Sequence, residues 1–101
     1  MPELDEGEVV IRKGPASYQL NQIMIGGYLF LTNKKLYLDT HSMEIVKAKV
    51  IIPLKEVQDV AEGSGENEMV LHIYNKKSEL FTVYERKDWI SDIQSVVETM
   101  Q

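Results

Sequence analysis

The sequence predicts a mainly β domain with one α-helix, in which seven short antiparallel strands form a bent barrel or sandwich capped by a carboxy-terminal amphipathic helix. Three observations support this prediction. Short runs of alternating apolar and polar residues recur along the chain, with turns containing Gly, Asn or Pro between them. Near the carboxyl end the apolar period changes to that of a helix. The 101 residues suffice for one domain, which we place at residues 8–101, after an acidic lead-in at residues 1–7 that we expect to fray.

The first predicted strand covers residues 8–13. Three β-branched residues at positions 9–11 favour extended structure because branched side chains suit a pleated surface. Gly14 and Pro15 are expected to break this strand. Residues 17–21 then either resume it or form an ordered loop.

The second and third predicted strands, residues 25–32 and 35–41, give the strongest hairpin signal in the chain. In both runs leucines alternate with aromatic or polar residues, as is typical of half-buried strands. Asn33 opens the two-residue turn between them, because asparagine tolerates the left-handed backbone that tight hairpin turns need. Gly26 and Gly27 are expected to bend the second strand at a corner of the barrel.

Four more strands are predicted from shorter runs, at residues 47–53, 55–61, 68–74 and 79–84. Pro53 ends the fourth strand because proline cannot donate to a ladder. A helix is predicted at about residues 86–100, where several apolar residues share one stripe. These residues are Trp89, Ile90, Ile93, Val96, Val97 and Met100. Trp89 is the largest, and we expect it to anchor the helix over the open end of the barrel.

The composition excludes several classes of function. Lys and Arg number 11 and Asp and Glu 16, so the formal net charge is −5. That balance argues against nucleic acid as a partner and weakens strong binding to anionic membranes. The absence of cysteine excludes disulfides, thiolate metal sites and cysteine nucleophiles. Because there is neither a long apolar span nor a signal-like amino terminus, we expect a cytoplasmic location with, at most, peripheral contact with membranes.

Several motifs, taken together, resemble one known family. They are G-E at residues 7–8, G-P-A at 14–16, G-G-Y-L-F-L-T-N-K-K-L-Y-L at 26–38, I-P-L at 52–54, F-T-V at 81–83 and R-K-D-W-I at 86–90. With these motifs the chain resembles the GRAM domain, a member of the pleckstrin-homology-like superfold, from about residue 7 to residue 97. The resemblance implies a seven-stranded bent barrel closed by a carboxy-terminal helix, and it specifies no ligand.

The resemblance also implies where an anionic ligand would bind. Pleckstrin-homology-like domains commonly hold anionic headgroups between the first-second, third-fourth and sixth-seventh strand loops. The matching positions here carry Lys13, Lys47, Lys76 and Lys77. Four converging lysines would attract an anion, but acidic residues at the same rim and the negative net charge oppose it. The expected affinity for a phosphoinositide-like headgroup is therefore weak.

Ile23, Met24 and Ile25 are the candidates for a partner surface. Pointing outward, they would form an apolar patch typical of a protein interface or a membrane-inserting loop, and pointing inward they would be ordinary core. A bare sheet edge is a second route to a partner, including a second copy of the chain in a homodimer. The five acids between residues 56 and 68, with no base among them, either attract a basic partner or only solubilise the surface.

Catalytic chemistry has little support in the sequence. His41 lies in a predicted loop near Asp39 and Ser42, but three neighbours on one loop rarely converge on one atom, which disfavours a hydrolase there. His72 is expected to be a hydrogen-bonded imidazole within a strand. No cofactor or metal is expected, because no ligand spacing is evident. We therefore predict a non-enzymatic binding or adaptor module for a protein partner or membrane surface, with a weak anionic-headgroup binder as the alternative.

Overall fold

The computed structural model describes residues 3–40 and 50–100. In these residues seven antiparallel strands form one sheet, in the order β4-β3-β2-β1-β7-β6-β5, which curls into a half-barrel. The strands are β1 Val10–Leu20, β2 Ile23–Thr32, β3 Lys35–Thr40, β4 Val50–Pro53, β5 Val57–Glu62, β6 Glu68–Ile73 and β7 Glu79–Val83. The helix α1, Arg86–Thr99, packs against the sheet. The predicted fold class is confirmed.

The helix closes the core through most of the stripe that the sequence predicts, whereas Met100, predicted as its last member, follows the helix and is exposed. Trp89, Ile93 and Val97 are buried, and the neighbouring apolar residues of the helix pack at the edge of the same core. The indole lies directly over β1, since a Cβ added to Gly14 would be 3.7 Å from its ring. Arg12 covers the ring from outside, with its guanidinium carbon 5.8 Å from the ring centroid. The helix is therefore anchored to β1 by a buried aromatic group under a cation.

β1 differs most from its predicted bounds. It runs from Val10 to Leu20, straight through Gly14 and Pro15, instead of ending at residue 13. Pairing with β7 begins only at Ala16, so Pro15 has a ladder neighbour on one side, at β2. The missing N–H of Pro15 therefore removes no hydrogen bond to β7. Pro15 is tolerated for the same reason as a proline on an edge strand.

The β2–β3 hairpin turns where predicted, between Thr32 and Lys35, but for a different reason. Asn33 is not among the described residues with positive φ, which include Asn21, Asn67 and Asn75. Its side chain instead binds the amino-terminal segment, as described below. β2 pairs regularly with β1 at Gly26 and Gly27, without the bulge expected there. Gly27 is required instead because a Cβ at this position would lie 2.5 Å from the Asp39 carbonyl oxygen of β3.

The remaining bounds differ by smaller amounts. A short 3-10 turn, Leu54–Glu56, replaces the predicted start of the fifth strand and buries Leu54 completely. β4 is seen from Val50, because the predicted residues 47–49 lie outside the described residues, as does His41 at the predicted end of β3. Within the described part of the chain, no helix has the length and apolar character needed to cross a membrane.

Candidate functional site

At the carboxyl end of β2, a group of polar residues fastens the amino-terminal segment to the β2–β3 turn; we call it the N-terminal latch (Glu8, Thr32, Asn33 and Lys35). The Thr32 hydroxyl donates to Glu8 Oε2 at 2.5 Å and accepts the backbone N–H of Lys35 at 3.0 Å. Lys35 Nζ donates to Glu8 Oε1 at 3.1 Å. Asn33 donates from Nδ2 to the carbonyl of Gly7 and accepts the N–H of Val9. Residues 7–9 are thus hydrogen-bonded to the β2–β3 turn.

Glu8 is a buried carboxylate with its partners in place. Burial acts to raise its pKa, but hydrogen bonds from Thr32, from the backbone N–H of Asp5 and from Lys35 outweigh that effect. The pKa of Glu8 is therefore held below its ordinary value, so the ionised form is the stable one in the fold. The latch is structural, and it gives the G-E and L-T-N-x-K motifs a physical role.

The opposite end of β2 forms a hairpin tip with β1, and the candidate partner residues divide there. Ile23 and Met24 are 61% and 47% exposed, whereas Ile25 is buried at 5%. Ile25 therefore cannot present its side chain to a partner. Asn21 takes a positive φ in the turn between β1 and β2, so the chain reverses there and β2 begins with Ile23 and Met24.

The β6–β7 turn lies beside this tip. β1 and β7 are adjacent, with Tyr18 opposite Phe81, so the two turns extend at the same level of the two strands. Lys76 and Lys77 in the β6–β7 turn are exposed. We call Ile23, Met24, Lys76 and Lys77 the tip surface.

A cavity of about 340 Å³ opens between the β6–β7 turn and β4. Lys76 and Lys77 line it together with apolar residues of β4. Lys76 Nζ is 3.2 Å from Glu56 Oε1, so half of this cationic pair is neutralised locally. Lys77 makes no ion pair with any described residue. The cavity has room for a small anionic group near Lys77, but the field there is weakened by Glu56 and Glu79, which also line it.

The predicted lysine cluster is only partly assembled. Lys13 stands opposite Phe30 in the helix-side half of β1, eight residues before the β1–β2 turn. A strand rises about 3.3 Å per residue, which puts Lys13 roughly 26 Å along β1 from that turn. Lys13 therefore does not lie in the β1–β2 loop, where the sequence prediction placed it by ending the first strand at residue 13. Lys47 lies outside the described residues.

The acidic run between residues 56 and 68 is largely used within the fold. Glu56 pairs with Lys76, and Glu62 Oε1 is 3.5 Å from a guanidinium nitrogen of Arg86. The Asp59 carboxylate is hydrogen-bonded to Nδ1 of His72 on the neighbouring strand. Glu68 accepts the N–H of Gly65 at 2.7 Å, which shapes the β5–β6 loop. These pairings fit a solubilising, loop-ordering role, and His72 is hydrogen-bonded as predicted.

Sequence reasoning missed a second basic site at the start of β3. Lys34, Lys35 and Lys55 line a cavity of about 350 Å³ with Ile51 and Met100. Lys55 lies twenty residues from Lys35, so nothing in the local pattern links them. Only the β3–β4 register, which sets Lys35 opposite Pro53, brings these lysines together.

Comparisons with solved structures identify the fold as pleckstrin-homology-like. The N-terminal PH domain of Vps36 matches with a TM-score of 0.82 and 15% identity, over 98% of this chain and 86% of that one. The C-terminal domain of an unknown protein from Leishmania infantum matches with a TM-score of 0.77 and 18% identity, over 91% and 86%. These likenesses show the fold.

A third likeness involves a larger assembly. The DH/PH domains of PDZ-RhoGEF, in complex with GTP-gamma-S activated RhoA, match with a TM-score of 0.73 and 11% identity. The match covers 94% of this chain but only 31% of that one, so this chain spans about a third of it. No family model and no curated protein matches this chain. The superfold predicted from the motifs is confirmed, and GRAM membership stays a prediction.

Proposed function

We propose that this chain is a non-enzymatic binding module that docks to a protein partner through its tip surface. The observation that carries the proposal is the exposure of two consecutive apolar residues at a hairpin tip, Ile23 at 61% and Met24 at 47%. Most of the large apolar side chains in the described part of the chain are buried, and neighbouring exposed ones are typical of contact sites. Ile25, the next residue along β2, is buried, so the exposed stretch at the start of this strand is limited to Ile23 and Met24.

The comparisons support a docking role without specifying it. One structural neighbour contains the DH/PH domains of PDZ-RhoGEF in complex with RhoA, so a domain of this shape occurs in a protein complex. We further propose that residues 8–101 form one GRAM-type domain that works in the cytoplasm. Support for the family assignment comes from the latch, which gives the Gly7, Glu8, Thr32, Asn33 and Lys35 positions of the motifs a common structural purpose.

An anionic membrane surface is the second candidate occupant of the same end. Lys77 is exposed, has no acidic partner among the described residues and lies level with the apolar tip. An apolar pair flanked by cations suits the boundary between headgroups and acyl chains. The ion pair of Lys76 with Glu56 and the net charge of −5 both lower the expected affinity.

Site-specific photocrosslinking separates these alternatives. A benzophenone amino acid at position 23 is expected to capture a defined protein from native extract, and the same group at the exposed Gln58 of β5 is the matched control. Excess untagged wild-type domain should compete the adduct away, and excess Ile23→Ser/Met24→Ser domain should not. Equal capture from both positions would contradict the docking proposal.

Vesicle flotation tests the membrane alternative. If the tip surface binds a membrane, the domain should float with phosphatidylserine-containing vesicles but not with pure phosphatidylcholine vesicles. Flotation should then be lost in Lys76→Glu/Lys77→Glu and retained in Lys13→Glu. If the domain floats with neither kind of vesicle, the membrane alternative is excluded and protein docking is the remaining function.

A further inference from the structure

The basic cavity at the start of β3 is built by strand register. Lys35 stands opposite Pro53 in the β3–β4 pair, and the N–H of Leu54 donates to the carbonyl of Lys34 at 2.9 Å. The 3-10 turn then places Lys55 immediately after this contact. Two consecutive lysines of the β2–β3 turn and a third from a distant segment are therefore brought to one cavity by backbone hydrogen bonds.

The charges of the residues that line this cavity do not cancel. Lys35 is neutralised by Glu8 within the latch. Lys34 Nζ donates only to the backbone carbonyl of Glu6, at 3.2 Å, and Lys55 has no ion pair among the described residues. Asp5 is the acid in the lining. In the lining itself, two lysines without a carboxylate partner among the described residues thus face one carboxylate. Glu6 and Glu3, whose backbone carbonyls accept from Lys34 and Lys35, lie in the adjacent amino-terminal segment.

The remaining walls of the cavity are apolar. Ile51, Pro53 and Met100 line it, and Ile51 and Met100 are 52% and 41% exposed. A volume of about 350 Å³ lies at the lower end of the range for small-molecule sites. An apolar wall with two cations at its rim matches a ligand that has one charged end and one apolar end.

We propose that this cavity binds an anionic amphiphile: a single carboxylate or phosphate group carried on a short apolar chain. The anion lies between the ammonium groups of Lys34 and Lys55, and the chain covers Ile51 and Met100. Charge complementarity selects the sign of the ligand, and the exposed apolar wall selects its body. The site shares no lysine with the tip surface, so it does not depend on the proposed docking function.

Nuclear magnetic resonance titration of the whole isotope-labelled chain tests this proposal. The probes are decanoate, decyl phosphate, inorganic phosphate and the neutral decyl maltoside, each below its micellar concentration. We expect saturable shifts of the backbone amides of Lys34, Ile51, Lys55 and Met100 with at least one of the two charged amphiphiles. The stronger of the two identifies the headgroup.

Matched variants decide whether the cations act as proposed. Lys55→Glu should weaken binding by about tenfold or more and Lys55→Ala by less, whereas Lys77→Glu and Ile23→Ser/Met24→Ser should bind like wild type. A dispersed spectrum for each variant shows that it is folded. Equal binding of decyl maltoside, saturation by inorganic phosphate alone, absence of shifts, or unchanged binding in Lys55→Glu would each overturn the proposal.

Discussion

The two ends of β2 are built in opposite ways. At its carboxyl end Thr32 is completely buried, and its hydroxyl donates to a carboxylate and accepts two backbone N–H groups. At its amino end Ile23 is 61% exposed and is followed by the exposed Met24, and the neighbouring turn carries Lys77, which has no ion pair with a described residue. One end combines a polar residue with full burial, and the other combines apolar residues with exposure.

This contrast separates residues that stabilise the fold from residues available to a ligand. Burying polar groups is tolerated only when every hydrogen bond is satisfied, as it is for Glu8 and Thr32. Exposed apolar groups contribute nothing to the core and so can be used for contacts with another molecule. Substitutions at the two ends should therefore fall into two classes, one affecting stability and one affecting docking.

The largest expected effect is at the latch. Glu8→Ala leaves the Lys35 ammonium and the Thr32 hydroxyl without their shared acceptor, and breaking a buried pair in this way should cost about 3 kcal/mol in the free energy of unfolding. Urea denaturation measures it. The control, Lys77→Ala, should change stability by no more than about 0.5 kcal/mol. A Glu8→Ala value as small as that of the control would remove the contrast between the two ends.

The middle of β2 offers a sharper comparison between adjacent glycines. A Cβ at Gly27 would meet the Asp39 carbonyl oxygen at 2.5 Å and Thr40 Cα at 3.0 Å, both backbone atoms, whereas one at Gly26 meets nothing within 4 Å. Gly27→Ala should therefore destabilise by about 2 kcal/mol, through overpacking of β3. Gly26→Ala should stay within about 0.5 kcal/mol in the same denaturation experiment. Similar values for both would mean that β3 yields easily.

Acid should weaken the latch end selectively. Because the folded-state pKa of Glu8 is lowered, its contribution is fully present above the ordinary pKa of 4.5 and is lost as the pH falls through the folded value. The unfolding free energy of wild type should thus fall more steeply below pH 4.5 than that of Glu8→Gln. Parallel acid limbs for the two proteins would show that Glu8 is not held in its ionised form.

Alkali should weaken the tip end, through Tyr18. Burial, and secondly the hydrogen bond to Glu79, raise the pKa of Tyr18 to about 12 from its ordinary 10.0. The contribution of a raised group is complete below pH 10 and is lost as the pH rises towards 12. Tyr18→Phe should remove the latest step in the phenolate absorbance titration of the folded protein. If that step persists in the variant, another tyrosine carries it.

The smallest effect on stability is expected at the tip itself. Ile23→Ser/Met24→Ser removes exposed side chains only, so the unfolding free energy should change by no more than about 0.5 kcal/mol. The same variant should lose the crosslinked partner that position 23 captures. A large loss of stability would place these residues with the core and not with a docking surface.

Much of the fold could be predicted from the sequence because period and turn chemistry are local. The helix stripe around Trp89 and the turn between Thr32 and Lys35 depend only on nearby residues, and both are confirmed. The extent of β1 was not predictable in this way. Pro15 is tolerated because β7 pairing starts one residue later, a fact that depends on a strand near the other end of the chain.

The candidate sites were harder to predict, since they depend on register between distant strands. Lys13 was assigned to a loop that begins eight residues after it. Lys34 and Lys55 were not considered because no local motif connects them, and only the pairing of Lys35 with Pro53 does so. The exposure of Ile23 against the burial of Ile25 likewise depends on where the tip extends beyond the core.

The seam between β1 and β7 has a consequence for the speed of folding. In the described part of the sheet, strands β4 to β1 join strands β7 to β5 through residues 16–18 of β1 and 81–83 of β7, which lie near opposite ends of the chain. Each half of the sheet is a meander of local hairpins that can form early, but the seam requires closure of a long loop whose entropy is lost before any contact is gained. Pairing of the two meanders, which brings Ser17 opposite Thr82, should therefore be the late, rate-limiting step of folding.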